Sequence, residues 1–180
     1  QFERWYLQGG TPQVQASGTW DASAGTYTLQ LEQSCAATPG QETKLPFHIP
    51  VAVGLLNQAG SEIAATRVLD LKEESQSFVF EGIQEQPVAS ILRGFSAPVR
   101  LKVEQSDAAL ALLFGHDTDS FNRWEAGQRL ATRVILNMVS ELQAGQTPPV
   151  ASSLIEALRA VFEDTNLDAS LKSYALRLPD

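Results

Sequence analysis

Cysteine and long hydrophobic runs are nearly absent from this 180-residue chain. Its one cysteine, Cys35, excludes an internal disulfide and a cysteine-based zinc cluster. A chain without disulfides is typical of a reducing compartment, so we expect a cytoplasmic protein. No apolar run approaches the roughly 18 residues that a membrane span requires, and the N-terminal segment lacks the basic-then-apolar pattern of a secretion signal. These absences predict that the protein has no membrane partner.

Basic charge is also scarce, because 13 Lys and Arg stand against 21 Asp and Glu and the formal net charge is −8. Nucleic acid and anionic membrane surfaces are recognised by clustered Lys and Arg, so this balance predicts no nucleic-acid partner. Apolar residues make up 43% of the chain. That fraction is sufficient for a folded core and excludes a disordered chain.

The hydrophobic pattern has a period of two up to about Glu104. Val14 and Trp20 lie in a run that alternates with polar residues, and after the turn at residues 21–25 the alternation resumes at Tyr27. Two such runs around a turn predict a β-hairpin. Similar short runs, seven or so in all, continue without an intervening helical stretch. They predict an Ig-like β-sandwich domain, although the antibody-type Cys…Trp…Cys spacing is absent.

The pattern becomes helical in residues 105–180, for which we predict an all-α domain of antiparallel helical hairpins. Ser106 or Asp107 caps the first helix, and Thr118 or Asp119 caps a longer second helix. The stripe predicted for this second helix is apolar except for Gln128 and consists of Phe121, Trp124, Gln128, Ala131, Ile135, Met138 and Leu142. Two more helices follow, without a period strict enough for a repeat array. The predicted domains are therefore a sandwich at 1–104 and a helical domain at 105–180.

Sequence motifs for catalysis or metal binding are incomplete wherever they begin. Neither His48 nor His116 belongs to a His-Glu-x-x-His pattern, which places two imidazoles on one helix face toward a zinc ion. The segment 94–98 starts like the nucleophile elbow G-x-S-x-G but ends in proline and precedes a strand. We therefore predict no catalytic residue, no metal ligand and no cofactor in this chain, which alone is not an enzyme.

Four longer blocks are more specific than composition requires: residues 2–12 (FERWYLQGGTP), 45–51 (LPFHIPV), 86–99 (QPVASILRGFSAPV), and 116–117 (HD) together with 119–128 (DSFNRWEAGQ). In this order and at these separations they resemble bacterial aminopeptidase N, a family of zinc-dependent gluzincin aminopeptidases. The resemblance covers most of the chain and is strongest up to about residue 130.

The resemblance implies a non-catalytic role. In that family an upstream domain carries the zinc ion and the catalytic Glu, a β-sandwich follows, and a helical domain closes over the active site. This chain resembles the sandwich and the start of the helical domain. We therefore expect a multidomain fragment, truncated within its helical domain, that supports and spaces the catalytic domain of a parent enzyme. The parent would remove N-terminal residues from peptides, hold zinc in its catalytic domain, and supply that domain and the remaining helices as partners.

An alternative interpretation is a free-standing β-sandwich module that binds protein or carbohydrate and carries a helical appendage. The open reading frame upstream of Gln1 distinguishes the two, because only a parent aminopeptidase encodes His-Glu-x-x-His followed by a further Glu.

Two groups of residues are candidates for interaction. The candidate domain-contact residues are Trp5, Tyr6, Asp119, Arg123, Trp124 and Glu125. Their simplest roles are aromatic packing, helix capping and helix-face charge, and their functional role would be a seam between the sandwich and the helices. The second group is a candidate exposed apolar face formed by Leu171, Tyr174 and Leu178, whose spacing of i, i+3, i+7 places them on one helical side. This face predicts weak self-association of the chain.

Overall fold

The computed structural model of the protein describes residues 1–179, which contain seven strands and five α-helices. The strands are β1 (Gln13–Asp21), β2 (Thr26–Ser34), β3 (Ile49–Leu56), β4 (Glu62–Leu71), β5 (Ser75–Glu81), β6 (Val88–Ile91) and β7 (Arg100–Val103). The helices are α1 (Arg4–Leu7), α2 (Asp107–His116), α3 (Ser120–Gln143), α4 (Ser152–Glu163) and α5 (Ala169–Ala175). The chain divides into two compact units, Gln1–Gln58 with Glu62–Glu104, and Ala59–Ser61 with the described residues from Gln105 onward.

The first unit consists of two sheets whose strand orders are β5-β2-β1-β7 and β4-β3-β6. The predicted hairpin is present, since β1 and β2 are antiparallel and Trp20 lies opposite Tyr27. Its turn depends on Asp21, whose carboxylate accepts hydrogen bonds from the backbone N–H groups of Ser23 and Ala24. Strand β7 pairs with β1 in parallel, a connection that the alternation of residues does not indicate.

Inward-facing side chains of both sheets form one hydrophobic core. Strand β2 shows the alternation most clearly, with Tyr27, Leu29 and Leu31 buried between more exposed polar neighbours. Strand β3 differs, because it is the middle strand of its sheet and both of its faces are buried. A 3-10 turn at Arg93–Phe95 packs against it, and a Cβ atom at Gly54 would lie only 2.2 Å from the guanidinium carbon of Arg93.

Helices α2 and α3 of the second unit begin at predicted caps. The Ser106 hydroxyl accepts a hydrogen bond from the N–H of Ala109 at the start of α2, and the Asp119 carboxylate accepts one from Asn122 at the start of α3. Gly145, in the left-handed conformation with φ +74°, follows the end of α3. Among the helices of the described residues, none is long and apolar enough to cross a membrane.

The buried face of α3 differs from the predicted apolar stripe. Of the predicted stripe only Ala131 is buried, whereas Phe121 and Leu142 are exposed. The buried residues of α3 are Arg123, Ala126, Gly127, Leu130 and Ala131. Small side chains let α2 approach closely, since a Cβ atom at Gly127 would lie 2.7 Å from the ring of Phe114. The buried face of α3 is therefore determined by close helix packing at small residues, and the larger apolar side chains of the predicted stripe lie mostly outside it.

The last helix is shorter than the apolar spacing predicts. Helix α5 ends at Ala175, so Leu178 lies beyond it and does not share a helical face with Leu171 and Tyr174. The pyrrolidine ring of Pro179 disfavours helical geometry at the preceding residue, which keeps Leu178 out of a helix. Tyr174 and Leu178 are exposed, and Leu171 is half-buried.

Candidate functional site

Metal-ligating side chains are dispersed in the described part of the chain. No group of three or more His, Cys, Asp and Glu side chains within residues 1–179 is placed to hold a metal ion. The imidazole of His48 instead pairs with Asp70 at 2.6 Å between Nε2 and Oδ1, and this hydrogen bond lowers the pKa of Asp70. Ser96, in the elbow-like segment, accepts a hydrogen bond from the N–H of Ala52. These residues do not fit a gluzincin zinc site.

A buried polar group in the helical unit is the guanidinium of Arg123, a residue that is only 6% exposed. It donates to the carbonyl oxygens of Phe114 at 2.8 Å and Gly115 at 2.6 Å, and to the carboxylate of Asp164 at 2.9 Å. The carbonyls at a helix C-terminus lack intrahelical donors and carry partial negative charge, so a cation is favourable there. We call this group the Arg123 clamp, and it ties α3 to the C-terminal ends of α2 and α4.

Asp164 is the acidic member of the clamp. Its pKa lies below the ordinary value because the N–H of Asn166 and the guanidinium of Arg123 donate to the carboxylate, which stabilises the charged form. The carboxylate is therefore ionised at neutral pH, as the ion pair requires.

The other candidates on α3 have local roles. Asp119 caps the helix, and its own N–H donates to the carboxylate of Asp117 at 3.0 Å. Trp124 is half-buried, with its ring centroid 5.9 Å from that of Phe121, and Glu125 is half-buried. Contact of these residues with another domain stays a prediction.

Trp5 and Tyr6 are placed in different environments although they are adjacent in α1. The indole of Trp5 packs on Phe47, with 4.8 Å between ring centroids, and its Nε1 donates to the carbonyl of His48 at 2.9 Å. Tyr6 is 82% exposed and contacts the edge of Phe2. Trp5 therefore packs against the edge of the sandwich core, and Tyr6 lies on the surface.

A second buried arginine, Arg93, was not predicted from the sequence. Its Nε donates to Ser90 and one terminal nitrogen to Thr66, both at 2.9 Å, and the same nitrogen pairs with the carboxylate of Glu62. The flanking residue Leu92 has a positive φ of +63°, an uncommon conformation for a residue with a branched side chain. The only sequence signal is a single charge inside the apolar run Ser-Ile-Leu-Arg-Gly-Phe.

The aromatic side chains of the first sheet do not form a stacking platform. Trp20 and Phe78 pack against the hydrophobic core, and Tyr27 and Phe80 are buried in it. The opposite face of β1 presents polar side chains such as Gln15, Ser17 and Thr19. Carbohydrate modules stack sugars on exposed aromatic rings. The described strands of this sheet therefore give no support to the carbohydrate-binding alternative.

Two sequence families match the chain and together cover most of it. Residues 10–104 match the family described as a domain of unknown function (DUF3458) with an Ig-like fold, and residues 107–180 match the family described as DUF3458_C, ARM repeats. The first match confirms the Ig-like sandwich. The second confirms the helical region and adds a repeat character that the hydrophobic period does not reveal.

Curated relatives include aminopeptidase N of three bacteria, each aligned over 99% of this chain. Identity is 37% over 185 residues for Escherichia coli, 32% over 186 for Haemophilus influenzae and 41% over 179 for Caulobacter vibrioides. The chain spans about a fifth of the length of these relatives, namely 21%, 21% and 20%.

A solved structure agrees with these matches. The crystal structure of Legionella pneumophila aminopeptidase A in complex with aspartic acid superposes with a TM-score of 0.81 and 29% identity. The superposition covers 98% of this chain and 19% of that one. The chain therefore belongs to the DUF3458 family of Ig-like domains and resembles one part of the larger bacterial aminopeptidase N.

Proposed function

We propose that this chain is a non-catalytic segment of a zinc-dependent aminopeptidase that removes N-terminal residues from peptides. In this role the two units support and space the catalytic domain. The observation that carries the proposal is the alignment of 99% of the chain, through both units, with aminopeptidase N of three bacteria. Because both units align with three proteins of the same name, the simplest interpretation is that this chain is a segment of such an aminopeptidase.

The polar chemistry of the chain supports a mechanical role. Both buried arginines, Arg93 and Arg123, are bound to side chains and carbonyl oxygens of their own unit. Such bonds fix backbone segments that hydrophobic packing alone leaves free to move. The two arginines therefore hold backbone segments in place. The reaction itself belongs to the domain that holds the zinc ion, where zinc would polarise the peptide carbonyl and activate water.

Zinc content and turnover test the proposal. The full-length parent protein and the 180-residue chain are purified in parallel and compared by elemental analysis and by hydrolysis of aminoacyl reporter substrates. We expect stoichiometric zinc and chelator-sensitive turnover in the parent, and neither in the chain. Stoichiometric zinc with chelator-sensitive turnover in the chain alone would contradict the proposal, and so would a parent that lacks both.

The cellular location belongs to the same proposal. We place the protein in the cytoplasm because its single thiol, partly exposed in Cys35, is compatible with a reducing compartment. Fractionation of cells with an antibody against the chain tests this, and recovery outside the cytoplasmic fraction would overturn it.

A further inference from the structure

Strand β5 is the outermost strand of its sheet, and β4, which precedes it in the chain, is an outermost strand of the other sheet. In an antiparallel pair, the backbone groups of every second residue face away from the partner strand. The N–H of Gln33 donates to the carbonyl of Glu74 just before β5, which sets this alternation between β2 and β5. The residues of β5 whose backbone groups face outward are therefore Ser75, Ser77, Val79 and Glu81.

The sequence of β5 is typical of a strand that pairs readily with another chain. Residues 75–81 read SQSFVFE, with two aromatic rings, no proline, no glycine and a single charge. A strand of this composition at an open sheet edge is a template for edge-to-edge pairing and aggregation. An antiparallel pair of two β5 strands satisfies two-fold symmetry, in which both partners use the same surface. A second copy of this chain is therefore the partner that this edge fits.

The side chain of Arg67 extends from β4 and lies on this edge. Its Nη1 donates to the outward-facing carbonyl of Val79 at 3.0 Å, and its guanidinium carbon lies 5.4 Å from the centroid of the Phe80 ring. The hydrogen bond occupies an acceptor that an added strand needs. An added strand would also lie about 4.8 Å from β5, in space that the guanidinium fills.

We propose that Arg67 blocks the open edge of β5 and so keeps the sandwich from pairing with a second copy of this chain. An approaching copy must displace the guanidinium from the Val79 carbonyl and the Phe80 ring, and it brings an identical cation to the same edge. A charged side chain directed at a sheet edge is one of the devices by which natural β proteins avoid such pairing. The inference does not depend on the proposed function, because both strands belong to the sandwich.

Removal of the guanidinium from the 180-residue chain tests the block. Arg67→Ser is compared with Arg100→Ser, which alters an exposed arginine of β7 at the opposite edge of the same sheet. Both variants remove one positive charge, so a difference between them does not come from net charge. In light scattering coupled to size exclusion, we expect the mass of Arg67→Ser to rise with concentration several-fold more steeply than that of Arg100→Ser. Equal mass curves for the two variants would overturn the proposal.

Amide hydrogen exchange, read by NMR, locates the contact in the associated Arg67→Ser chain. We expect the outward-facing N–H of Val79 to exchange several-fold more slowly at high protein concentration than at low concentration. Association that leaves the exchange of this amide unchanged would contradict the proposal, because the contact would then lie elsewhere.

A pair of lysine substitutions separates edge pairing from simple destabilisation. Val79→Lys, added to Arg67→Ser, places a charge on the exposed face of β5 and should restore a monomeric mass. Thr19→Lys adds the same charge to an exposed position of the interior strand β1, and it should leave the association in place. Association that neither lysine reverses, or that both reverse equally, would refute a block at the β5 edge.

Discussion

The hydrophobic cores of the sandwich and of the helical unit differ in residue composition. Eighteen buried hydrophobic residues form one cluster in the sandwich, and only three of them are alanine. The described helices bury ten hydrophobic residues, of which four are alanine. Burial of a large side chain stabilises a fold by about 1.5–3 kcal/mol, and alanine offers much less. The helical unit therefore depends more on close helix packing and on the Arg123 clamp.

The two units also differ in how completely their apolar faces are covered. The buried residues of α3 lie between Arg123 and Ala131, whereas Leu136, Val139 and Leu142 in its second half are exposed. In the sandwich, the inward faces of both sheets meet in one core. The comparison indicates that the sandwich is the more self-sufficient unit and that the helical unit is the more easily disrupted.

The largest predicted effect comes from Arg123→Met, which leaves two helix-end carbonyls without their donor and Asp164 without its cation. We expect a loss of about 3 kcal/mol in the free energy of unfolding of the helical unit, because one partner of a buried network is removed. Limited proteolysis should then digest residues 105–180 and leave a stable fragment of roughly 1–104.

The matched control is Arg133→Met on the same helix. Arg133 pairs with Asp107 at 2.6 Å, but both side chains are more than a third exposed, so we expect a loss below about 1 kcal/mol. Equal losses from the two variants, or digestion of the sandwich before the helices, would contradict the proposed difference in stability between the two units.

The two units should also lose stability at opposite ends of the pH scale. Burial raises the pKa of Tyr27 to about 12, so the sandwich favours the neutral phenol and loses stability as pH rises from 10 to about 12. One pH unit in that window corresponds to about 1.4 kcal/mol. The pKa of Asp164 is lowered, so its stabilisation is present above the ordinary value of 3.8 and is lost as pH falls through the lower folded value.

Circular dichroism follows the helical unit, and the difference in tyrosinate absorbance between the unmodified chain and Tyr27→Phe isolates the titration of Tyr27 from that of the other two tyrosines. Tyr27→Phe should flatten the alkaline dependence, and Asp164→Asn should flatten the acidic one. An alkaline unfolding of the sandwich that Tyr27→Phe leaves unchanged would show that Tyr27 does not govern this limit.

A pair of glycine variants tests the close packing of α2 on α3. Gly127→Ala places a methyl group 2.7 Å from the ring of Phe114, and we expect a net loss of about 1 kcal/mol even though alanine favours the helix. Gly115→Ala meets only Ala160, at 3.8 Å, so it should be neutral or slightly stabilising. Urea denaturation of both variants measures the difference, and a stabilised Gly127→Ala would contradict the packing.

The smallest expected effect is weak self-association through the exposed side chains of Tyr174 and Leu178. The Arg177 guanidinium lies 5.0 Å from the Tyr174 ring centroid and covers part of its face, so the available area is small. Light scattering with size exclusion should show a mass that rises with concentration and more strongly at high salt, which screens the −8 charge. Tyr174→Ser with Leu178→Ser should remove the rise, and a monomeric mass in all conditions would contradict the prediction.

Local pattern predicts the elements of this chain better than it predicts their contacts. Alternation reaching from Val14 to Trp20 and the turn at Asp21 specify a hairpin, and Asp119 specifies a helix start, because each depends on neighbours within a few residues. Helix α1 was missed because its stability comes from bonds to residues such as Gln41 and Leu45, far away in sequence.

The buried arginines show why the candidate site was only partly predictable. The sequence indicates helix-face charge as the simplest role of the domain-contact candidate Arg123, because charged residues are rarely buried, and the predicted stripe follows the larger apolar groups. Its acceptors include the carbonyl oxygens of Phe114 and Gly115, which no side-chain pattern displays. Arg93 depends in the same way on Glu62 and on the absence of a side chain at Gly54.

The most direct test of the supporting role is thermal inactivation of the full-length parent that carries Arg123→Met, with Arg133→Met as the control. We predict that zinc content and kcat/KM at low temperature stay within about twofold of the unmodified parent, whereas the half-life at elevated temperature falls sharply for Arg123→Met alone. A parent that keeps its fold and zinc but loses kcat/KM at low temperature, or one whose half-life is unchanged, would contradict the account.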